Sequence, residues 1–262
     1  MDLQLAGKRV LVTGASKGIG LATVQAFLAE GASVVAVARR TTPELDATEA
    51  SFVSADLSLP NGPRQMVEAV LAGDDRLDVL VNNAGGGTQP PEAFNDVFEG
   101  GDDVWEAIFA LNLGATVRAT RAALPALIAS RGAVVNISSE AARRPGAAPI
   151  HYSAAKAALN TVSRALAEKL AGSGVRVNTV APGGTRTYTQ TGADGYMAQV
   201  AAHLGVDHGA LLETLPQQGG MLTGQLIEPD EIARAVLLIA SPTIPSAIGS
   251  NWAVDAGSVK VA

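Results

Sequence analysis

The run Arg9-Val10-Leu11-Val12-Thr13 passes directly into Gly14-Ala15-Ser16-Lys17-Gly18-Ile19-Gly20 and then into an amphipathic segment reaching Glu30, which leaves few ways for this chain to fold. A short β-branched apolar run, a glycine turn and a helical period read as strand, tight turn and helix. Glycines let backbone pass close to a phosphate, and the free N–H groups and dipole of a helix start favour an anion there. A plain strand-to-helix turn would look the same, so the rest of the chain has to decide.

The pattern repeats. Apolar runs at 33–38, 51–54, 77–81, 133–138, 175–180 and 250–254 read as strands, with helical segments at 63–71, 102–130, about 150–171 and 229–240. Residues 41–50 hold Pro43 and little helical period, so the crossover between the second and third strands is expected to be short or absent. This alternation over 262 residues predicts an α/β fold: a Rossmann-type doubly wound parallel sheet of about seven strands, helices on both faces, in one domain spanning 1–262. Hydrophobic residues make up 47% and aromatics only 4%, so the core must be built from Val, Leu, Ile and Ala, as suits strands covered on both faces. Residues 86–101, rich in Gly and Pro, are expected to form an exposed loop. In 188–227 the pattern weakens, with helices expected at 196–204 and 209–215; an insertion of this size after a strand is a candidate substrate-binding lid, with a variable surface loop as the alternative.

Composition also narrows function. A net charge of −6 without a Lys/Arg block argues against nucleic acid or an anionic membrane as partner. The absence of cysteine removes disulfides, thiolate nucleophiles and cysteine-ligated metal sites. Without a basic-then-apolar leader or a run of membrane-spanning length, a cytoplasmic protein is expected. His203 and His208 lack a third ligand at convincing spacing, so no metal site is assigned.

The chemistry gathers where strands end. Ser139 follows the fifth strand, at the carboxyl edge where open α/β sheets bind ligands. Tyr152 precedes Lys156 by four positions, which places both on one helix face with the ammonium able to act on the phenol. That spacing alone is commonplace on solvated helices. The second strand ends Ala38-Arg39 with no carboxylate to accept from a ribose 2′-OH, and Lys17 adds a second cation, which points to NADP(H) in preference to NAD(H). Two solvated arginines at a strand end are the alternative. Asn112 falls inside the long helix, either solvated or engaged in something specific. His151 is read as packing at a helix start and Arg143 and Arg144 as solvated loop charges, with contact to substrate as the alternative for each.

Taken together, Thr13 through Gly20, Asn82-Asn83-Ala84-Gly85, Asn112, Ser139 thirteen positions before Tyr152, Lys156, and Pro182-Gly183 through Thr187 resemble the short-chain dehydrogenase/reductase family in order and spacing. The resemblance covers almost the whole chain. It implies a tetrad of Asn112, Ser139, Tyr152 and Lys156: Tyr152 as general acid–base, Ser139 holding the substrate oxygen, Lys156 lowering the tyrosine pKa and holding the nicotinamide ribose, Asn112 supporting a water-mediated proton path. It further implies a cofactor site of Gly14, Ser16, Lys17, Gly18, Ile19, Gly20, Arg39, Asp56, Leu57, Asn83, Ala84, Gly85, Pro182, Gly183, Thr185 and Thr187 with Tyr152 and Lys156, and a homotetramer or dimer. Two departures stand out: the missing crossover helix, and Asp255-Ala256-Gly257 where the family commonly has Asp-Gly-Gly.

The expected function is NADPH-dependent reduction of a small-molecule ketone to a secondary alcohol. Alternatives are an alcohol dehydrogenase working oxidatively, a 3-oxoacyl thioester reductase, and an NADP(H)-binding sensor without turnover. The helix ends Ser130-Arg131-Gly132 and Ser173-Gly174 lack the basic clusters that would dock an acidic carrier protein. An intact tetrad argues against the sensor.

Overall fold

A computed structural model describes residues 1–86 and 90–260 of the chain. Seven parallel strands form one sheet in the order β3-β2-β1-β4-β5-β6-β7: β1 Arg9–Thr13, β2 Ser33–Ala38, β3 Ser51–Ser54, β4 Val79–Asn82, β5 Ala133–Ile137, β6 Arg176–Pro182 and β7 Asn251–Val254. Parallel neighbours need crossovers, which are α1 Gly18–Ala29, α2 Pro43–Asp46, α3 Gly62–Leu71, α4 Asp102–Phe109 with α5 Ala115–Ser130, α6 Ile150–Lys169 and α10 Pro229–Ala240. As expected from Pro43, α2 is only a single turn, entered through Thr42, whose Oγ1 accepts from Leu45 N–H at 3.3 Å.

Strand residues alternate between two cores. Val10, Val12, Val34, Ala36, Val79, Val81, Val135 and Ile137 pack with α1 and α10, including Phe27, Ile232 and Ile239. Their neighbours Leu11, Val35, Val37, Leu80 and Val134 pack on the opposite face with Met66 and Val67 of α3 and Ala119, Ala123 and Leu127 of α5. With both faces covered, the strands read as continuous apolar runs, and a one-residue slip would exchange the two sets. The strand order reverses between β1 and β4, and the crevice outside their carboxyl ends is the place where such sheets bind ligands.

Two regions differ from the sequence reading. The long helix from 102 to 130 is interrupted by one π-turn at Ala110–Gly114, centred on Asn112. The segment 86–101 is not wholly exposed: it carries a short 3-10 turn, Pro91–Asn95, with Ala93 buried, while 87–89 lie outside the described residues. Beyond β6 the chain forms α7 Tyr188–Thr191, α8 Tyr196–Leu204 and α9 His208–Gln218 and returns beside its starting point, Thr185 bridging Ile227 and Arg186 N–H donating to Ile227 O at 2.8 Å. Ala256 adopts φ +53, a left-handed conformation that costs an L residue roughly 1–2 kcal/mol and that the more usual glycine would take without strain. Among the described residues no helix is long and apolar enough to cross a membrane.

Candidate active site

The glycine turn packs so tightly that side chains are excluded. A Cβ on Gly20 would lie 2.2 Å from the Gly14 carbonyl oxygen, and one on Gly14, at φ +64, would lie 2.9 Å from Ala84 Cα. The loop after β4 causes this closeness. Asn83 Nδ2 donates to Thr13 O at 2.9 Å and Gly14 O at 3.1 Å, while Thr13 Oγ1 accepts from the N–H groups of Asn83 and Ala84, both at 3.0 Å. Asn83 and Ala84 thus stitch the turn together from behind. In front, α1 begins at Gly18 after Lys17, with no side chain among the described residues capping its first N–H groups and no acidic residue in its first turn. Uncapped donors at a helix start, reached over glycine, fit the pyrophosphate of a dinucleotide.

Other predicted cofactor residues ring the same edge. Arg39 is exposed at the tip of β2, facing Asp56, whose carboxyl is held below its usual range by Ser58 and, more weakly, by the Arg39 charge. Leu57 is buried under this loop. Ser16 O accepts from Thr42 Oγ1 at 2.9 Å, tying the turn to the residues after β2. Lys17 is exposed and places its ammonium 4.0 Å from the ring centre of Tyr188, at the start of α7. Pro182 closes β6; Thr185 is buried with its hydroxyl given to Gly183 O at 2.9 Å, and Thr187 lies against Gly18.

The four tetrad candidates meet next to this edge. Lys156 is buried, with Nζ donating to Ile137 O at 2.8 Å and standing 5.6 Å from the ring centre of Tyr152. Gly85 fits between it and Asn112: a Cβ there would lie 3.1 Å from Lys156 Nζ and 2.8 Å from Asn112 Oδ1. The buried Asn112 side chain is fully engaged, Nδ2 donating to Ile108 O and Gly86 O and Oδ1 accepting from Gly86 N–H, all between 2.8 and 2.9 Å. It pins the loop after β4 to the π-turn. Ser139 caps a short 3-10 turn, its Oγ accepting from Ala141 N–H at 3.1 Å, and its hydroxyl lies near enough to the Tyr152 phenol to favour the phenolate.

The electrostatics differ in one respect from expectation. Burial raises the Tyr152 phenol above its usual value, against the opposing pull of the Ser139 hydrogen bond, and the nearby Glu140 charge raises it further. Lys156, with its ammonium turned to Ile137 O, does not bring the phenol down here. Burial instead pulls the lysine from 10.5 to about 8. The folded chain therefore releases this proton before the unfolded chain does, so stability rises with pH between those two values. The penalty, about 3 kcal/mol, is present in full below pH 8 and gone above 10.5. Urea unfolding at pH 7.5 and 9.5 should show the native protein gaining about 2 kcal/mol relative to Lys156→Met. A pH-independent difference would remove the lysine as the cause.

Sequence reasoning missed Glu140. Half-buried beside Ser139, it accepts a hydrogen bond from Ser258 Oγ, while burial raises its carboxyl pKa. Its neighbour Arg144 is not a solvated loop charge: it is half-buried and donates Nη1 to Gly219 O, near the end of α9, whereas Arg143 is exposed. His151 packs at the helix start, buried with its ring edge-on to Trp105 at 6.0 Å, and burial lowers its pKa. His203 stacks on Phe94 at 5.2 Å and His208 Nε2 lies 2.8 Å from Gln190 O. The only available signal for Glu140 was its position, a single carboxylate directly after a candidate catalytic serine.

The chain is similar in sequence and fold to known proteins. A family model described as short chain dehydrogenase matches residues 8–195. The uncharacterized oxidoreductase YvrD of Bacillus subtilis is 34% identical over 270 residues, covering 99% of each chain. L-xylulose reductase of Bos taurus is 32% identical over 260 residues, covering 98% of each. The crystal structure of L-sorbose reductase from Gluconobacter frateurii, complexed with NADPH and L-sorbose, superposes with a TM-score of 0.88 at 28% identity over 100% of both chains. The chain belongs to the short-chain dehydrogenase/reductase family.

Proposed function

We propose that the protein is an NADPH-dependent oxidoreductase that reduces the carbonyl of a small molecule to a secondary alcohol, reversibly. The observation that carries this reading is the convergence of Ser139, Tyr152 and Lys156 at the carboxyl ends of the strands, beside an uncapped helix start under a glycine turn. A nicotinamide held at this edge would supply the hydride. Tyr152 gives the proton to the substrate oxygen, and the Ser139 hydroxyl steadies that oxygen as negative charge develops. Lys156 holds the nicotinamide ribose and passes a proton toward Tyr152, with Asn112 fixing the loop along which a water-mediated path to the lysine runs. Residues 188–227 act as the substrate lid, and the long helices with β7 serve self-assembly.

NADPH is preferred in this reading because Arg39 is exposed at the tip of β2 without a carboxylate in its place, and the L-sorbose reductase complex, similar over its whole length, was crystallised with that cofactor. Arg39→Asp should lower the ratio of kcat/KM for NADPH over NADH by about 10- to 100-fold, the worth of a charge-assisted hydrogen bond. Steady-state kinetics with both cofactors measure it; an unchanged ratio would show that Arg39 does not meet the 2′-phosphate. The reaction itself is tested by loss of NADPH absorbance against a panel of ketones, aldehydes and ketoesters. No turnover on any of them, with tight NADPH binding, would overturn the reductase reading in favour of a binding role.

A further inference from the structure

The Lys17 ammonium is engaged on the side of the glycine turn away from β2. Ser16 ties the turn to the β2 side, its carbonyl accepting from Thr42 Oγ1 at 2.9 Å. The next side chain leaves the other way and sets its ammonium 4.0 Å from the ring centre of Tyr188, on the chain that follows β6, and β2 and β6 lie on opposite sides of β1 in the sheet. Among the described residues no carboxylate comes within 4.0 Å of this ammonium, so the ring is the partner it has. A second contact lies beside the first: a Cβ on Gly18, at φ +57, would stand 3.1 Å from Thr187 Cγ2. Two consecutive residues of the turn thus meet two consecutive residues after β6. The ring is packed from its own chain as well, since a Cβ on Gly192 would lie 2.7 Å from Tyr188 Cε1, and Gly192 N–H donates to Tyr188 O at 2.8 Å. From there the backbone carries the contact onward: Gln190 N–H donates to Thr187 O at 2.9 Å, and Gln190 O lies 2.8 Å from His208 Nε2 at the start of α9. Lys17 is exposed and Tyr188 is 46% exposed, so core burial does not explain why they meet. An ammonium over an exposed aromatic face shifts an equilibrium by about two- to fivefold, enough to bias a mobile segment without locking it.

We propose that Lys17 and Tyr188 form a clasp that holds the start of the 188–227 segment down on the glycine turn, so that Lys17 retains NADPH and NADH alike through closure of that segment and leaves the choice of the 2′-phosphate to Arg39. This rests on the reading of the glycine turn as the phosphate site of the cofactor. A lysine reaching for the 2′-phosphate would favour NADPH alone. A lysine engaged with Tyr188 acts at the pyrophosphate edge, which the two dinucleotides share.

The first experiment is amide hydrogen exchange without cofactor, on the native protein, Lys17→Met, Tyr188→Leu, Tyr188→Phe and the double variant Lys17→Met with Tyr188→Leu. Amides of 188–204 should exchange about two- to fivefold faster in Lys17→Met and in Tyr188→Leu, no faster again in the double variant, and at the native rate in Tyr188→Phe, which keeps the aromatic face. Unchanged amides in β1 and β4 report that the fold is intact. Native exchange in both single variants, effects that multiply in the double variant, or a Tyr188→Phe protein as fast as Tyr188→Leu would each overturn the clasp. The second experiment titrates NADPH and NADH into native protein and Lys17→Met by fluorescence. Both Kd values should rise by the same factor, leaving their ratio within about twofold of native. A rise confined to NADPH would place the ammonium on the 2′-phosphate and overturn the inference. Because the exchange experiment uses neither cofactor nor turnover, it decides the clasp even if the reductase reading fails. A native protein that binds neither dinucleotide would instead refute the phosphate-site reading and the retention role of Lys17 with it.

Discussion

Replacing Tyr152 with phenylalanine is expected to lower kcat by about 10²- to 10⁴-fold while leaving NADPH affinity nearly unchanged. The ring, carried on α6 itself, fills the same space, so the fold and the Lys156–Ile137 hydrogen bond survive. Only the phenolic oxygen is lost, and with it the group proposed to exchange a proton with the substrate oxygen. Stopped-flow binding and steady-state turnover, measured on the same preparation, separate the two quantities. Full activity in the mutant would assign the proton to another group and dismantle the proposed mechanism.

The second large effect concerns the cradle. In Gly20→Ala the new methyl group would meet the Gly14 carbonyl oxygen at 2.2 Å and Asn83 Nδ2 at 2.6 Å, and neither is the free end of a flexible side chain. Asn83 is held by Thr13 O and Gly14 O, so relieving the clash means separating α1 from the loop after β4. Overpacking of this kind costs about 1–3 kcal/mol, and the displacement falls on the N–H groups expected to meet the pyrophosphate. Thermal unfolding should therefore show a lower midpoint, and NADPH should raise that midpoint much less than it does for the native protein. If ligand stabilisation is undiminished, the glycine turn is not the phosphate site.

The sheet and the candidate tetrad could be read in advance because their determinants are local. Val-rich runs of strand length, Gly14 through Gly20 between strand and helix, and the four-residue spacing of Tyr152 and Lys156 each depend on residues close together in the chain. What escaped detection depends on distant partners. Glu140 gains its hydrogen bond from Ser258, separated from it by 118 residues, and Arg144 reaches Gly219 across 75. The π-turn at Asn112 is set by bonds to Gly86, in a loop that carries no periodic signal. Phe94, lodged in a Gly- and Pro-rich stretch, stacks on Tyr196 and His203 of α8, so a segment that reads as exposed is partly roofed. The upward shift of the Tyr152 phenol was equally hidden, since motif spacing says nothing about how deeply a side chain is desolvated.

The pairing of Gly184 and Arg186 with Ile227 brings the two ends of the 188–227 excursion together at the sheet edge. Whatever lies between those ends hangs from a fixed base, and doubling the length of a flexible loop costs only about 0.6 kcal/mol in closure entropy. Evolution can therefore lengthen, shorten or exchange this segment while the strands, the glycine turn and the serine–tyrosine–lysine group keep their positions. With 188–227 as the proposed substrate lid, substrate choice becomes a replaceable part mounted on an unchanging frame.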